Sequence, residues 1–303
     1  MKIGIDIGGS HIATGIVVEK GKLLGKETRD INISEIKTQD RVKEIIIDII
    51  ENEIKILLDR YDYEETDISK IGIAVPGNPS ETEIKNVVNL HIKKFELAKI
   101  LSLKYNTKVK IKNDGKCAGL AEKEYGNMKQ YDDCVFLCIG TGVGSAVFLK
   151  GELLEPKQNS GFELGHIVID KNGIKCNCGN KGCFERYASM KIFKEQFIKE
   201  FGMKKNTESE EIQNYIRKNI KTKKVEQFVD SYLENVAIGI SNIINIFEPE
   251  AICFGGSFSY YDDIFLPRLN EKIKEHIFNK DSKFKLMSAK LKNDAGIIGA
   301  TQI

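Results

Sequence analysis

The chain has 303 residues, 41% hydrophobic and 30% charged, the composition of an ordinary globular protein and not of a disordered one. Forty-six Lys and Arg against 44 Asp and Glu give a formal charge of +2, so net charge argues for neither a nucleic acid partner nor an anionic membrane surface. No apolar run approaches the ~18–20 residues that span a bilayer, and Asp6-Ile7-Gly8-Gly9 interrupts any signal-peptide core, so a cytosolic protein of about two domains is expected.

Apolar residues alternate at Ile3, Ile5 and Ile7, pass through Gly8-Gly9-Ser10 and resume at Ile16-Val17-Val18. Lys20-Gly21-Lys22 then turns the chain into Leu23-Leu24. Apolar positions from Val42 to Leu58 at 3.6-residue spacing predict a helix. Ile71–Val75 reads as a buried strand stopped by Pro76-Gly77, Leu97–Leu103 as a helix, and Val109–Ile111 as a strand ending at Asn113-Asp114-Gly115. A helical stretch follows from Cys117 to Tyr125. The opening pattern then returns: strand Val135–Ile139, glycine loop Gly140-Thr141-Gly142-Val143-Gly144, strand Val147–Leu149, turn Lys150-Gly151. A repeat of this kind predicts two similar α/β lobes, each presenting a glycine loop at the end of its first strand. Helix is expected from about Phe184 to Phe201, a charged surface helical insertion over 204–224, and a long helix from Val225 to Phe247 closed by Glu248-Pro249. Ala251–Phe254 reads as a buried strand meeting Gly255-Gly256, and a last helix begins near Asp294-Ala295-Gly296.

Several of these residues suit a phosphate-handling enzyme. The third glycine of Gly140–Gly144 comes one residue early for a dinucleotide fingerprint and a strand follows it. No Lys-Ser/Thr pair marks a Walker loop. Two readings stay open: tight hairpin turns, or backbone N–H cradles holding one nucleotide between repeated lobes. Asp6 would set a carboxylate near metal-bound phosphates, and Gly255-Gly256 is a third contact. Asp114 is either the N-cap of the following helix or a base accepting a proton from a hydroxyl nucleophile. Cys176, Cys178 and Cys183 supply three thiolates over eight residues, and His166 upstream completes a Cys3His site. The alternative is three reduced surface thiols. A four-ligand site would be structural and would orient Glu163, His166 and Glu185 toward a common pocket. Seven Cys, an odd number, argue against a disulfide framework, and Cys117, Cys134, Cys138 and Cys253 read as small buried hydrophobes.

Together Asp6-Ile7-Gly8-Gly9-Ser10, Pro76-Gly77, Asn113-Asp114, Gly140–Gly144, Glu163-Leu164-Gly165-His166, the Cys-x-Cys-Gly-x-x-Gly-Cys-x-Glu run from Cys176 to Glu185, and Gly255-Gly256 resemble the ROK (repressor, open reading frame, kinase) sugar kinases, in order and over nearly the whole chain. The resemblance implies an actin-like ATPase (ribonuclease H-like) fold of duplicated α/β lobes with a cleft between them. The lobes would be 1–112, joined by the C-terminal helix of about 292–303, and 113–291. It implies a glucokinase-like enzyme of carbohydrate metabolism that phosphorylates the 6-hydroxyl of a hexose. N-acetylmannosamine kinase or fructokinase is the runner-up, and a non-catalytic sugar sensor or transcriptional regulator the alternative of another class. Asp114 would be the general base. Gly77, Asn113, Glu163, His166 and Glu185 would bind the sugar. Asp6, Gly8, Gly9, Ser10, Gly140, Thr141, Gly142, Gly255 and Gly256 would hold ATP with Mg2+. His166, Cys176, Cys178 and Cys183 would hold a structural Zn2+. A homodimer is expected. The DNA-binding members carry an N-terminal helix-turn-helix, for which a first strand at Ile3 leaves no room. The chain departs from the family pattern at Ser10, usually Thr, at Ser145-Ala146, often glycine, and after Asn89-Leu90, where many glucokinases carry a Trp and this chain has none.

Overall fold

The computed structural model describes residues 1–31, 36, 38–87, 90–157 and 161–303. In chain order the elements are β1 (Lys2–Ile7), β2 (His11–Val17), β3 (Leu23–Asp30), α1 (Gln39–Tyr61), β4 (Lys70–Val75), β5 (Ile84–Val87), β6 (Ile92–Phe95), α2 (Leu97–Tyr105), β7 (Val109–Asn113) and α3 (Asp114–Tyr125). They continue as β8 (Cys134–Ile139), β9 (Val143–Leu149), β10 (Glu152–Leu153), α4 (Glu185–Ala188), α5 (Met190–Glu200), α6 (Ser209–Asn219), α7 (Lys223–Phe247), β11 (Ala251–Gly255), α8 (Asp262–His276), β12 (Lys285–Ser288) and α9 (Ala295–Ala300). Two compact units result. One holds Met1–Lys129, Glu155–Gly161 and Lys290–Ile303, the other Gln130–Leu154 and Phe162–Ala289. The division falls after α3, at Lys129, and not at residue 112, because α3 packs on α9 within the first unit. Among the described residues no helix is long and apolar enough to cross a membrane.

The predicted repeat is plain in the sheets. Strand order is β3-β2-β1-β4-β7 in the first unit and β10-β9-β8-β11-β12 in the second. Each sheet opens with an antiparallel meander and adds two parallel strands by crossover. This is the duplicated actin-like ATPase fold.

Within the first unit, β1 and β4 share one pattern, Ile3-Gly4-Ile5 and Ile71-Gly72-Ile73, in register, and Gly15 of β2 completes a row of three glycines beside Gly4. Alternate side chains leave a strand on opposite faces. The Ile residues therefore join the buried residues of α1, including Val42, Ile46, Ile50 and Leu57, in one core. At these three glycines the face carries no side chains, and α9 lies directly on it. A Cβ on Gly4 would overlap the Ile297 carbonyl oxygen, and one on Gly72 that of Ala300. Gly299 of α9 meets the Cys117 carbonyl of α3 in the same way. Glu122, fully buried on α3, fixes the returning segment by accepting from the Leu291 N–H (2.6 Å) and the Asn127 N–H (3.0 Å).

Local differences from the sequence expectation have identifiable causes. The helix expected over 184–201 breaks at Ser189 (φ −62, ψ 139), because the amides opening α5 turn to the Gly140 carbonyl, with Met190 donating at 2.9 Å. Over 204–222 the helix is α6, held by buried Ile212 and Ile216, and α7 already begins at Lys223. The helix expected from Cys117 begins at Asp114. The predicted stop of α7 appears as a left-handed Glu248 (φ 45) before Pro249. β5, β6, α8 and β12 have no counterpart in the sequence expectation, and Pro267 inside α8 disguises that helix.

A buried carboxyl lies under the first sheet. Glu53 of α1 accepts from the Thr14 hydroxyl through Oε2 (2.6 Å), while Oε1 is buried without a hydrogen-bond partner among the described residues. Burial pushes its pKa up to about 7, with Glu27 adding and Thr14 and Arg29 opposing. A carboxyl raised in the folded state stabilises the fold below its unfolded pKa, and that contribution is lost as pH rises through about 7. Thermal melts should therefore show wild type losing stability relative to Glu53→Gln between pH 5 and 8, by roughly 1–2 kcal/mol after screening. A pH-independent difference would refute this.

Candidate functional site

The parallel strands of the first unit end together, and their C-terminal ends carry the candidate residues. Asp6 is the penultimate residue of β1, Gly8–Ser10 leaves it, Pro76-Gly77 leaves β4, and Asn113-Asp114 leaves β7. In α/β sheets ligands bind at this edge, where loops diverge and helix N-termini point. Gly8–Ser10 is a hairpin turn closed by the Gly8 N–H on the His11 carbonyl (2.9 Å), with Gly9 and Ser10 exposed. The His11 ring covers this loop, with Nδ1 3.4 Å from Ser10 Oγ.

Which residue caps α3 decides what Asp114 is free to do. The cap is Asn113, whose Oδ1 accepts from the Lys116 N–H (3.1 Å), while its Nδ2 donates to the Gly77 carbonyl (3.0 Å). Gly77 sits at φ +83, a region that favours glycine. Asp114 is thus the first residue of α3 and not its cap. Its carboxylate accepts from the neighbouring Gly115 N–H (2.7 Å). Burial raises its pKa, against the pull of backbone N–H groups. Asp6 lies beside it, against Gly296 at the start of α9, and is pushed up to about 7 by burial and then by the Asp114 charge. A cavity of about 40 Å³ is lined by Gly77, Asn113, Lys116 and Pro156 among others.

The second unit repeats the edge. Gly140–Gly142 connects β8 to β9 as a hairpin turn, with Thr141 exposed and the Gly140 N–H on the Gly142 carbonyl (3.0 Å). Gly255-Gly256 ends the adjacent parallel strand β11. Gly256 (φ +70) approaches so closely that a Cβ there would lie 2.6 Å from the Ile139 carbonyl oxygen. Both loops are hairpins, as the plainer reading held, and the glycine contacts of each unit converge on one sheet edge.

His166, Cys176, Cys178 and Cys183 come together as the spacing predicted, their ligand atoms all within 4.8 Å of one another. Cys176 Sγ is 3.8 Å from His166 Nδ1, and Cys178 Sγ 3.6 Å from Cys183 Sγ. Tetrahedral coordination at Zn–S ~2.3 Å separates ligands by about 3.7 Å, so the donor set fits Zn2+. Gly179 (φ +98) and Gly182 (φ +72) permit the reversal. The Asn180 N–H holds the Cys178 thiol below its usual pKa, whereas burial pushes Cys183 up to about 12, where only an adjacent cation would keep a thiolate. Tyr187 ties the loop to α4, donating to Asp170 Oδ2 (3.1 Å) and accepting from the Ile174 N–H (3.0 Å).

Glu163 and His166 flank a short 3₁₀ turn, and Glu185 opens α4 two residues after Cys183. Sequence reasoning missed what holds this turn. Buried Ser145 donates to the Phe162 carbonyl (2.7 Å) and accepts from the Leu164 N–H (3.1 Å). Its only signal was a hydroxyl inside an otherwise apolar strand. Asn89 lies outside the described residues.

A family model described as the ROK family matches residues 2–303. The glucokinase of Thermotoga maritima is 30% identical, with 99% of this chain and 96% of that protein covered. The xylose repressor of Bacillus subtilis is 28% identical, covering 99% of this chain and 76% of the repressor. Among solved structures, a ROK family glucokinase from Streptomyces griseus, in complex with glucose and AMPPNP, is similar at TM-score 0.81 and 21% identity, covering 99% and 98% of the two chains.

Proposed function

The chain belongs to the ROK family, and from that premise we propose that it is an ATP-dependent sugar kinase acting on the 6-hydroxyl of a hexose, glucose first among the candidates. The observation that carries the proposal is Asp114: a buried carboxylate at the C-terminal edge of β7, released from capping by Asn113, with its pKa raised toward the working range of a base. Asp114 takes the proton of the 6-hydroxyl as that oxygen bonds to the γ-phosphorus of ATP, and the bond from phosphorus to ADP breaks. Phosphoryl transfer asks the protein mainly for position and charge.

Asn113, Gly77, Glu163, His166 and Glu185 hold the other sugar hydroxyls. Gly8, Gly9, Ser10, Gly140, Thr141 and Gly142 offer backbone N–H and hydroxyl groups to the phosphates, and Gly255-Gly256 lets adenosine approach closely. Mg2+ bound with ATP would supply charge neutralisation on the leaving diphosphate. Asp6 is the carboxylate assigned to it. Zn2+ on His166, Cys176, Cys178 and Cys183 is structural, since four protein donors leave no open position. A cytosolic homodimer completes the reading.

The test is ADP formation from MgATP with glucose, mannose, fructose, N-acetylglucosamine and N-acetylmannosamine. Turnover on one of them identifies the acceptor, with N-acetylmannosamine and fructose the runners-up. The second reading, a sugar-responsive regulator, is favoured by the likeness to the xylose repressor and predicts sugar binding without ADP release. For the metal, analysis should find about one equivalent of zinc per chain. Chelation should disorder the 176–183 turn and raise the sugar KM before the protein unfolds, and full activity in metal-free protein would dismiss the structural role.

A further inference from the structure

We propose that Glu185 is a positioning residue for the nucleotide loop of the second unit, latching Gly140–Gly144 to the segment that carries the Cys3His cluster. This rests on the reading of that loop as a phosphate cradle. Glu185 Oε2 accepts from the Val143 N–H at 3.0 Å. Val143 is only 5% exposed, so this acceptor meets a backbone donor largely shielded from water. The fit leaves no slack, because a Cβ on Gly142 would stand 2.6 Å from the same carboxylate oxygen.

Two more contacts from the same segment grip the loop. The Gly140 carbonyl accepts from the Met190 N–H (2.9 Å) at the start of α5, and Gly165, beside His166, packs against the Val143 carbonyl. Val143 is therefore held on its N–H side by the residue following Cys183-Phe184, and on its carbonyl side by the residue preceding His166. Among the described residues only Oε2 of Glu185 is used, and a carboxylate has acceptor capacity for more than one donor. Oε1 stays available for a sugar hydroxyl, so one side chain serves both the loop and the sugar.

The test is the Kd of MgAMPPNP, measured calorimetrically without sugar, for the metal-loaded wild type and three variants. Glu185→Ala removes the latch and is expected to raise Kd roughly 10-fold or more, whereas Glu185→Gln keeps a carbonyl acceptor and should stay within about threefold. Gly142→Ala leaves Glu185 and all four metal ligands in place but displaces the carboxylate, and should match Glu185→Ala. Zinc content is measured on each variant. An unchanged Kd in Glu185→Ala and Gly142→Ala overturns the latch while the nucleotide loop stands. Glu185→Gln as impaired as Glu185→Ala overturns it as well. A wild type that binds no MgAMPPNP removes the loop reading and the proposal together.

Discussion

Asp114→Asn is expected to lower kcat by roughly 10²- to 10⁴-fold, the usual worth of a positioned general base. MgATP affinity, sugar affinity and zinc content should stay near wild type. The substitution is nearly isosteric, and an Asn side chain still accepts from the Gly115 N–H that Asp114 engages at 2.7 Å. Asn113 continues to cap α3, so the helix keeps its start. The variant therefore removes the basic oxygen and little else. Burial raises the pKa of Asp114, and a base must be ionised to act. The wild-type rate should accordingly fall as pH drops, along an acid limb lying above the ordinary carboxylate range, and the residual rate of Asp114→Asn should lack that limb. Retention of a tenth or more of kcat, a barrier change of about 1.4 kcal/mol or less, would remove Asp114 from this role.

Gly72→Ala should be the most damaging single methyl group in the first unit. Its Cβ would overlap the Ala300 carbonyl oxygen, with backbone on both sides of the contact, so no side chain is able to swing away. Overpacking between rigid elements typically costs 1–3 kcal/mol, and this case should reach about 3 kcal/mol or more. Denaturant midpoints measure the loss, and limited proteolysis should release the C-terminal segment first. Gly140→Ala is the control: none of the described residues lies within 4 Å of a Cβ there, so its stability should stay within about 0.5 kcal/mol of wild type. A Gly72→Ala midpoint equal to that of Gly140→Ala would mean that α9 is free to lift off the sheet at no cost.

Periodicity and spacing are local properties, and the features they govern were legible in the chain. Ile3-Gly4-Ile5 alternation marked the first strand, and its return at Val135–Ile139 with a second glycine loop announced the duplicated topology. The four zinc-ligand candidates were nameable because thiols separated by two and five positions must share a tight turn, and the turn brings their atoms within 4.8 Å. Asp114 was visible as a carboxylate at a strand's end, but its partner was not. Whether Asn113 or Asp114 caps α3 depends on which side chain reaches the Lys116 N–H, and the Gly77 carbonyl, thirty-six residues away, helps hold Asn113 there.

The remaining features were decided by contacts between segments far apart in sequence. Glycines in β1, β2 and β4 are explained by α9 lying across them, because a missing side chain acquires a reason only from what occupies its place. Ser145 looked like a departure from a glycine pattern until its hydroxyl met Phe162 and Leu164. The break between α4 and α5 follows from the Gly140 carbonyl, and the hold on Val143 follows from Glu185. Hydrogen bonds and close approaches of this kind carry no period along the chain. The sequence by itself determined most of the elements, their repetition and the chemistry offered at each strand end. Only the tertiary structure decided which backbone groups those side chains satisfy, since that depends on distances closed by folding and not on spacing.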